Sequence, residues 1–182
     1  MTRVFVGATP LVSLGAVGEL DLLTAFDGRP VVPDAVRAEV TTEPARTNLD
    51  RFLADDGAVT GPVDTDWTDD AMTVLDATEP TSDVRVLEGI LAATAETVAA
   101  DGGDAAGDAP AVGLVSDDRR LRTVAEGFGA TVTGTFGVVV RAATADKYIT
   151  PTQAKRIVRR IDSHGLHLTG ELREQAIGVT DG

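Results

Sequence analysis

With 182 residues, 43% of them hydrophobic and none of them cysteine, the chain can build one core. It has no thiol for a disulfide, a thiolate metal site or a cysteine nucleophile. A formal net charge of -13 opposes nucleic-acid binding by composition alone, because an acidic surface repels phosphates and gains little from counterion release in strong salt. The same charge suits solubility in concentrated salt, where self-repulsion is screened, and points to a halophile.

Hydrophobic periodicity argues against disorder, and no apolar run approaches the roughly 20 residues that span a bilayer. The N-terminus lacks the basic start and apolar stretch of a signal peptide, so a cytoplasmic location without membrane attachment is expected.

In chain order, Arg3 to Val6 reads as a strand stopped at Gly7. Thr9 and Pro10 are then placed to cap and start a helix that the leucine spacing carries to about Phe26. Pro30 to Val32 predicts a second strand, and Pro33-Asp34 opens a helix bearing Glu39. Ala45 to Asp56 predicts another helix, with Leu49, Phe52 and Leu53 as its apolar face. From Gly57 to Pro80 the chain is turn-rich, with a weak strand near Val59. Thr81-Ser82-Asp83 starts the longest helix, running to about Ala100.

Residues 101–110 hold only Asp, Gly, Ala and Pro and read as a flexible surface insertion. Val112 to Ser116 has the short apolar form of a buried parallel strand. It is followed by a helix from Arg119 to Gly127, a strand at Thr131 to Thr133 and a helix opened by Gly134-Thr135-Phe136-Gly137. Two further helices are expected over Thr152 to Gly165 and Thr169 to Ile177. Alternating strands and helices imply an α/β fold of three layers, α/β/α, around a parallel sheet whose ligands gather at the carboxyl ends of its strands. Residues 1–150 form the α/β domain in this reading, and 151–182 a helical extension packed on it.

Carboxylates fall at Glu39, at Asp83 and Glu88, and at the pair Asp117-Asp118 directly after a buried strand. Convergence of such groups requires neutralisation, as by Mg²⁺ or Mn²⁺, which prefer oxygen ligands and activate water against a phosphodiester. With 29 acidic residues in the chain, chance placement at helix starts is the competing explanation. Arg119, Arg120 and Arg122, and Arg156, Arg159 and Arg160 with Lys155, could hold phosphate or could simply pair with surplus carboxylates. His164 and His167 are too few for a zinc site, and Gly134 and Gly137 supply only two glycines of a dinucleotide fingerprint. Trp67 and Tyr148 make no stacking platform.

Five stretches taken together carry a family resemblance: Val4-Phe5-Val6-Gly7-Ala8-Thr9-Pro10-Leu11-Val12; Val31-Val32-Pro33-Asp34-Ala35-Val36-Arg37-Ala38-Glu39-Val40; Val115-Ser116-Asp117-Asp118-Arg119-Arg120; Val132-Thr133-Gly134-Thr135-Phe136-Gly137; and Ile161-Asp162-Ser163-His164-Gly165-Leu166-His167-Leu168 with Glu171-Leu172. In this order they resemble the PIN-domain family of metal-dependent nucleases, particularly an archaeal and bacterial branch.

The resemblance implies a PIN-like fold, Mg²⁺ or Mn²⁺ as cofactor, and RNA as substrate. Family members also form homodimers or pair with small antitoxins, and nothing in this chain identifies such a partner. The family's second acidic position falls on Glu39 and its acidic pair on Asp117 and Asp118, while its third falls on Glu88 or Asp83. Its first aspartate falls on Gly7, which has no side chain to offer, and Thr9 matches the neighbouring hydroxyl.

Two functions follow from the resemblance. In the first, an endoribonuclease holds metal through Glu39, Asp117 and either Asp83 or Glu88. Asp118 assists in catalysis, and Thr9, Arg119 and Arg120 contact the substrate. In the second, the fold binds RNA or protein and has lost catalysis at Gly7. An unrelated Rossmann-like small-molecule protein is a third reading, which the missing phosphate loop disfavours.

Overall fold

The computed structural model describes residues 2–100, 112–145 and 147–165. The expected insertion at 101–110, the helix over 169–177 and His167 lie outside them. Five strands form one sheet: β1 (Arg3–Val6), β2 (Arg29–Pro33), β3 (Val59–Gly61), β4 (Val112–Val115) and β5 (Thr131–Thr133). Their order is β3-β2-β1-β4-β5, and every neighbouring pair is parallel. The chain winds outward from β1 through β2 to β3, then returns to the far side of β1 as β4. The switch point therefore lies between β1 and β4, where a crevice opens beyond the strand ends.

The helices are α1 (Ala8–Val17), α2 (Asp34–Glu39), α3 (Ala45–Ala54), α4 (Thr68–Leu75), α5 (Ser82–Ala100), α6 (Arg119–Gly127), α7 (Thr135–Thr144) and α8 (Pro151–Ser163). On one side α5 lies against β1, β2 and β4 and also meets α2, α4 and α6; α1, α3, α7 and α8 pack together as the other layer. Strand β4 is buried at every position, which explains why its sequence is apolar without alternation. Leu11, Leu14, Leu87, Ile90, Leu114 and Leu121 are essentially inaccessible, each contributing roughly 1.5–3 kcal/mol of burial free energy.

Two expectations are corrected. The first helix begins at Ala8 after Gly7 and stops at Val17, because Gly18 turns left-handed at φ 73° and its N–H reaches back to the helix carbonyls. The leucines beyond continue in a 3-10 segment, Leu20–Ala25. Periodicity carried past the glycine because Leu20, Leu22 and Leu23 are still buried, on a different element. The turn-rich stretch from Gly57 to Pro80 also contains helix α4, which buries only Ala71 completely; so small an apolar face leaves little periodic signal.

Helix α8 has a capping box, with Thr150 and Gln153 satisfying each other's backbone N–H and Pro151 leading the first turn. It buries Ala154, Ile157, Val158 and Ile161. Its Arg160 donates to the Val17 carbonyl at 2.7 Å and to Glu19 at 3.4 Å, fastening α8 to the end of α1.

Candidate active site

At the switch point, the Gly7 N–H donates to the Val115 carbonyl at 2.9 Å, extending the β1–β4 ladder to the residue that opens α1. The backbone of Gly7 is extended, with φ −77° and ψ 171°, a conformation open to any residue. A Cβ added there would sit 3.4 Å from Ser116 Oγ and 3.6 Å from the Val115 carbonyl, ordinary van der Waals separations. Neither backbone strain nor crowding at Cβ demands glycine here.

The acidic pair after β4 divides its work between two helices. Asp118 caps α6 by accepting from the Leu121 N–H at 2.6 Å, and its own N–H donates to Ser116 Oγ at 3.1 Å. Asp117 turns towards α7, where one carboxylate oxygen accepts from the Thr135 N–H at 2.9 Å and the other from the Thr135 hydroxyl. A Cβ on Gly134 would lie 2.7 Å from that Asp117 carboxylate, so glycine is what lets the carboxylate reach the helix end. Arg122 braces the turn by donating to the Ser116 carbonyl at 3.0 Å.

The N-terminus of α7 is thus filled by a carboxylate, in the position a phosphate would need in a dinucleotide site. The Gly134-Thr135-Phe136-Gly137 turn therefore does not offer a free helix end to a phosphate. Ser116 and Thr135 were not singled out for the site, and Arg122, expected to hold phosphate or pair with a carboxylate, is engaged by a backbone carbonyl instead.

Asp83, in the first turn of α5, has its carboxyl pushed above the usual aspartate range by loss of hydration, then by the negative charges of Asp118 and Glu39. Glu39 closes α2 and Asp118 opens α6. Three elements distant in sequence therefore bring the charges of Asp118 and Glu39 to bear on Asp83.

Glu88 lies elsewhere in the fold's electrostatics. It is completely buried and accepts from Arg85 at 2.8 Å, from the Thr68 hydroxyl at 2.9 Å and from the Thr65 N–H. Burial alone would raise its pKa, but these donors outweigh it and hold the carboxyl below the ordinary glutamate range. Glu88 thus ties the loop before α4 to α5, an engagement that its place in an apolar helix pattern did not reveal.

Thr9, Arg119 and Arg120 are exposed. Both arginines stand in the first turn of α6, next to Asp118, and neither has a partner among the described residues.

A family model, DUF3368, described as a PIN domain, matches residues 104–181, the stretch that holds β4, the acidic pair, Thr135 and α8. Over that C-terminal stretch, somewhat less than half of its length, the chain is similar to the PIN-domain family. No curated protein and no solved structure matches it. PIN domains depend in general on divalent metal, and the oxygen-only set Glu39, Asp83 and Asp118 fits a hard cation in kind. Among the described residues, no group of three or more His, Cys, Asp or Glu is close enough together to hold a metal ion. No helix among them is long and apolar enough to cross a membrane.

Proposed function

We propose that this PIN domain acts on RNA as a Mg²⁺- or Mn²⁺-dependent ribonuclease whose acidic pocket is Glu39, Asp83 and Asp118. The observation that carries the reading is the raised pKa of Asp83 under the charges of Asp118 and Glu39, since carboxylates held in repulsion are relieved by a proton or a cation. In this reading those three residues, too far apart as they stand, would draw in to hold the metal, which would supply charge neutralisation at the phosphate and lower the pKa of water. Asp118 keeps one oxygen on α6, fixing the direction of the other. Asp117, earlier expected to be a ligand, acts through position: with Thr135 and Arg122 it sets the turn that carries Asp118. Glu88 holds the α5 surface in place from behind. Arg119 and Arg120, exposed in the first turn of α6, would contact the RNA backbone, and the exposed Thr9 near the start of α1 would be a further contact.

A second reading is favoured by Gly7, where the family resemblance places an aspartate. With no carboxylate on the β1 side, the pocket is one charge poorer, and the domain would bind RNA or a protein without cleaving it. Calorimetric Mn²⁺ titration in molar KCl, run beside an RNA-cleavage assay, separates the two. In the nuclease reading the natural protein binds Mn²⁺ and cuts RNA, and Asp83→Asn abolishes both. If binding and cleavage arise only after Gly7→Asp, with affinity at least an order of magnitude tighter through the added charge, the natural chain is a degenerate nuclease.

A further inference from the structure

We propose that the groove between α2 and α3 is a phosphate-binding arm for single-stranded RNA, with Arg46 as its principal contact. The inference rests on the reading that the acidic pocket handles RNA, and it extends that site in one direction. The groove encloses about 390 Å³, and its lining includes Arg37, Ala38, Val40, Thr41, Arg46 and Asp50. Ala38 and Val40, the chain neighbours of Glu39, are among the lining residues, so the groove adjoins Glu39 along the chain.

In a chain of net charge -13 cations are readily taken up by carboxylates, and the exceptions are informative. Arg3 is held by Glu96, Arg37 by Asp50, Arg85 by Glu88 and Arg160 by Glu19. Arg46 is exposed and its guanidinium makes no hydrogen bond or ion pair among the described residues, although acidic side chains share its groove. Of those, Asp50 is satisfied by Arg37 at 2.8 Å, and Asp34 accepts from the Thr60 hydroxyl at 3.2 Å. Arg46 is therefore the uncommitted charge on one flank of the pocket, as Arg119 and Arg120 are beside Asp118. A strand with a phosphate at the acidic centre finds a free guanidinium on each side, and a guanidinium fork can hold two phosphate oxygens. Electrostatics that repel RNA over most of the surface would in this way admit it along one track.

Fluorescence anisotropy with labelled oligouridylate, without divalent metal, tests the assignment. Arg46→Gln should weaken binding about tenfold, the loss of one charge-assisted contact, and lower the salt dependence by about one ion. Arg46→Lys should restore the salt dependence and part of the affinity. Arg3→Gln, on the first residue of β1 and thus at the opposite end of the sheet, should change nothing. If the natural protein binds RNA and Arg120→Gln weakens it while Arg46→Gln does not, the groove assignment is overturned and the ribonuclease reading stands. If the natural protein binds no RNA, both fall together.

Discussion

Replacing Glu88 distinguishes a structural carboxylate from a metal ligand, because the two roles predict opposite patterns of stability and binding. In Glu88→Ala the Arg85 guanidinium, with 22% of its side chain exposed, loses its closest carboxylate; Asp64 lies 4.0 Å away and is itself largely in solvent. The Thr65 N–H and Thr68 hydroxyl also lose their acceptor. Breaking a buried ion pair from one side costs about 3–5 kcal/mol, and water reaching Arg85 places this case near about 3 kcal/mol. For a domain of this size that corresponds to a fall in Tm of about 10 °C. Glu88→Gln keeps the shape and the two threonine contacts while turning an amide towards Arg85, and should lose about half as much.

Thermal melts followed by circular dichroism in molar KCl give the stability, and Mn²⁺ calorimetry on the same samples gives the site. The expected result is a large loss of Tm with Mn²⁺ affinity of Glu88→Gln within about twofold of the natural protein, well under the tenfold that corresponds to about 1.4 kcal/mol. An unchanged melt with Mn²⁺ binding abolished would refute the reasoning and return Glu88 to the metal site. The pH dependence has a definite direction. Native Glu88 holds its proton less tightly than the unfolded chain, so its stabilisation is complete above the ordinary glutamate pKa and is lost as pH falls through the depressed native value.

Asp83 should behave in the opposite sense: its pKa is raised, so its contribution is full below the ordinary aspartate value and is lost as pH rises through the native one. Asp83→Asn should therefore melt higher than the natural protein at neutral pH and with it in acid; identical melts across that range would contradict the described repulsion. Gly134→Ala drives a methyl to 2.7 Å from Asp117 and should cost about 1–3 kcal/mol as the carboxylate leaves α7, read as a lower denaturation midpoint. Thr150→Ala removes the capping box of α8, with an expected loss of about 1 kcal/mol; an unaltered melt would mean that α8 contributes little to cooperative unfolding.

The strands were legible in the sequence because their signals are local: Val112 to Val115 is apolar throughout, and Pro33-Asp34 marks the start of α2. The helix pattern was legible where burial is periodic, as along α5, and failed where Gly18 broke the chain without breaking the run of buried leucines. At the site, sequence brought Glu39, Asp83, Asp117 and Asp118 into view but could not say where each carboxylate points. Asp117 and Asp118 are neighbours, yet they serve different helices, and that division depends on where Thr135 and Leu121 lie in space. Glu88 shares a helix with Asp83, and only the arrival of Arg85, Thr65 and Thr68 commits it to a structural role. Arg46 drew no notice, since its isolation is visible only after its neighbours have found their partners.

The capping duties of the acidic pair bear on how relatives of this chain should be interpreted. Since Asp118 caps the start of α6 and Asp117 satisfies the start of α7, losing either would injure folding whether or not the domain ever cut RNA. Selection for a stable protein would by itself retain both residues long after any catalysis had gone, so an intact pair is poor testimony to activity. Position 7 carries no such mechanical duty. If position 7 is the family's first acidic position, as the resemblance implies, it is free to drift once cleavage is no longer needed, and the residue found there would be the better witness to whether a member of this lineage still works as an enzyme.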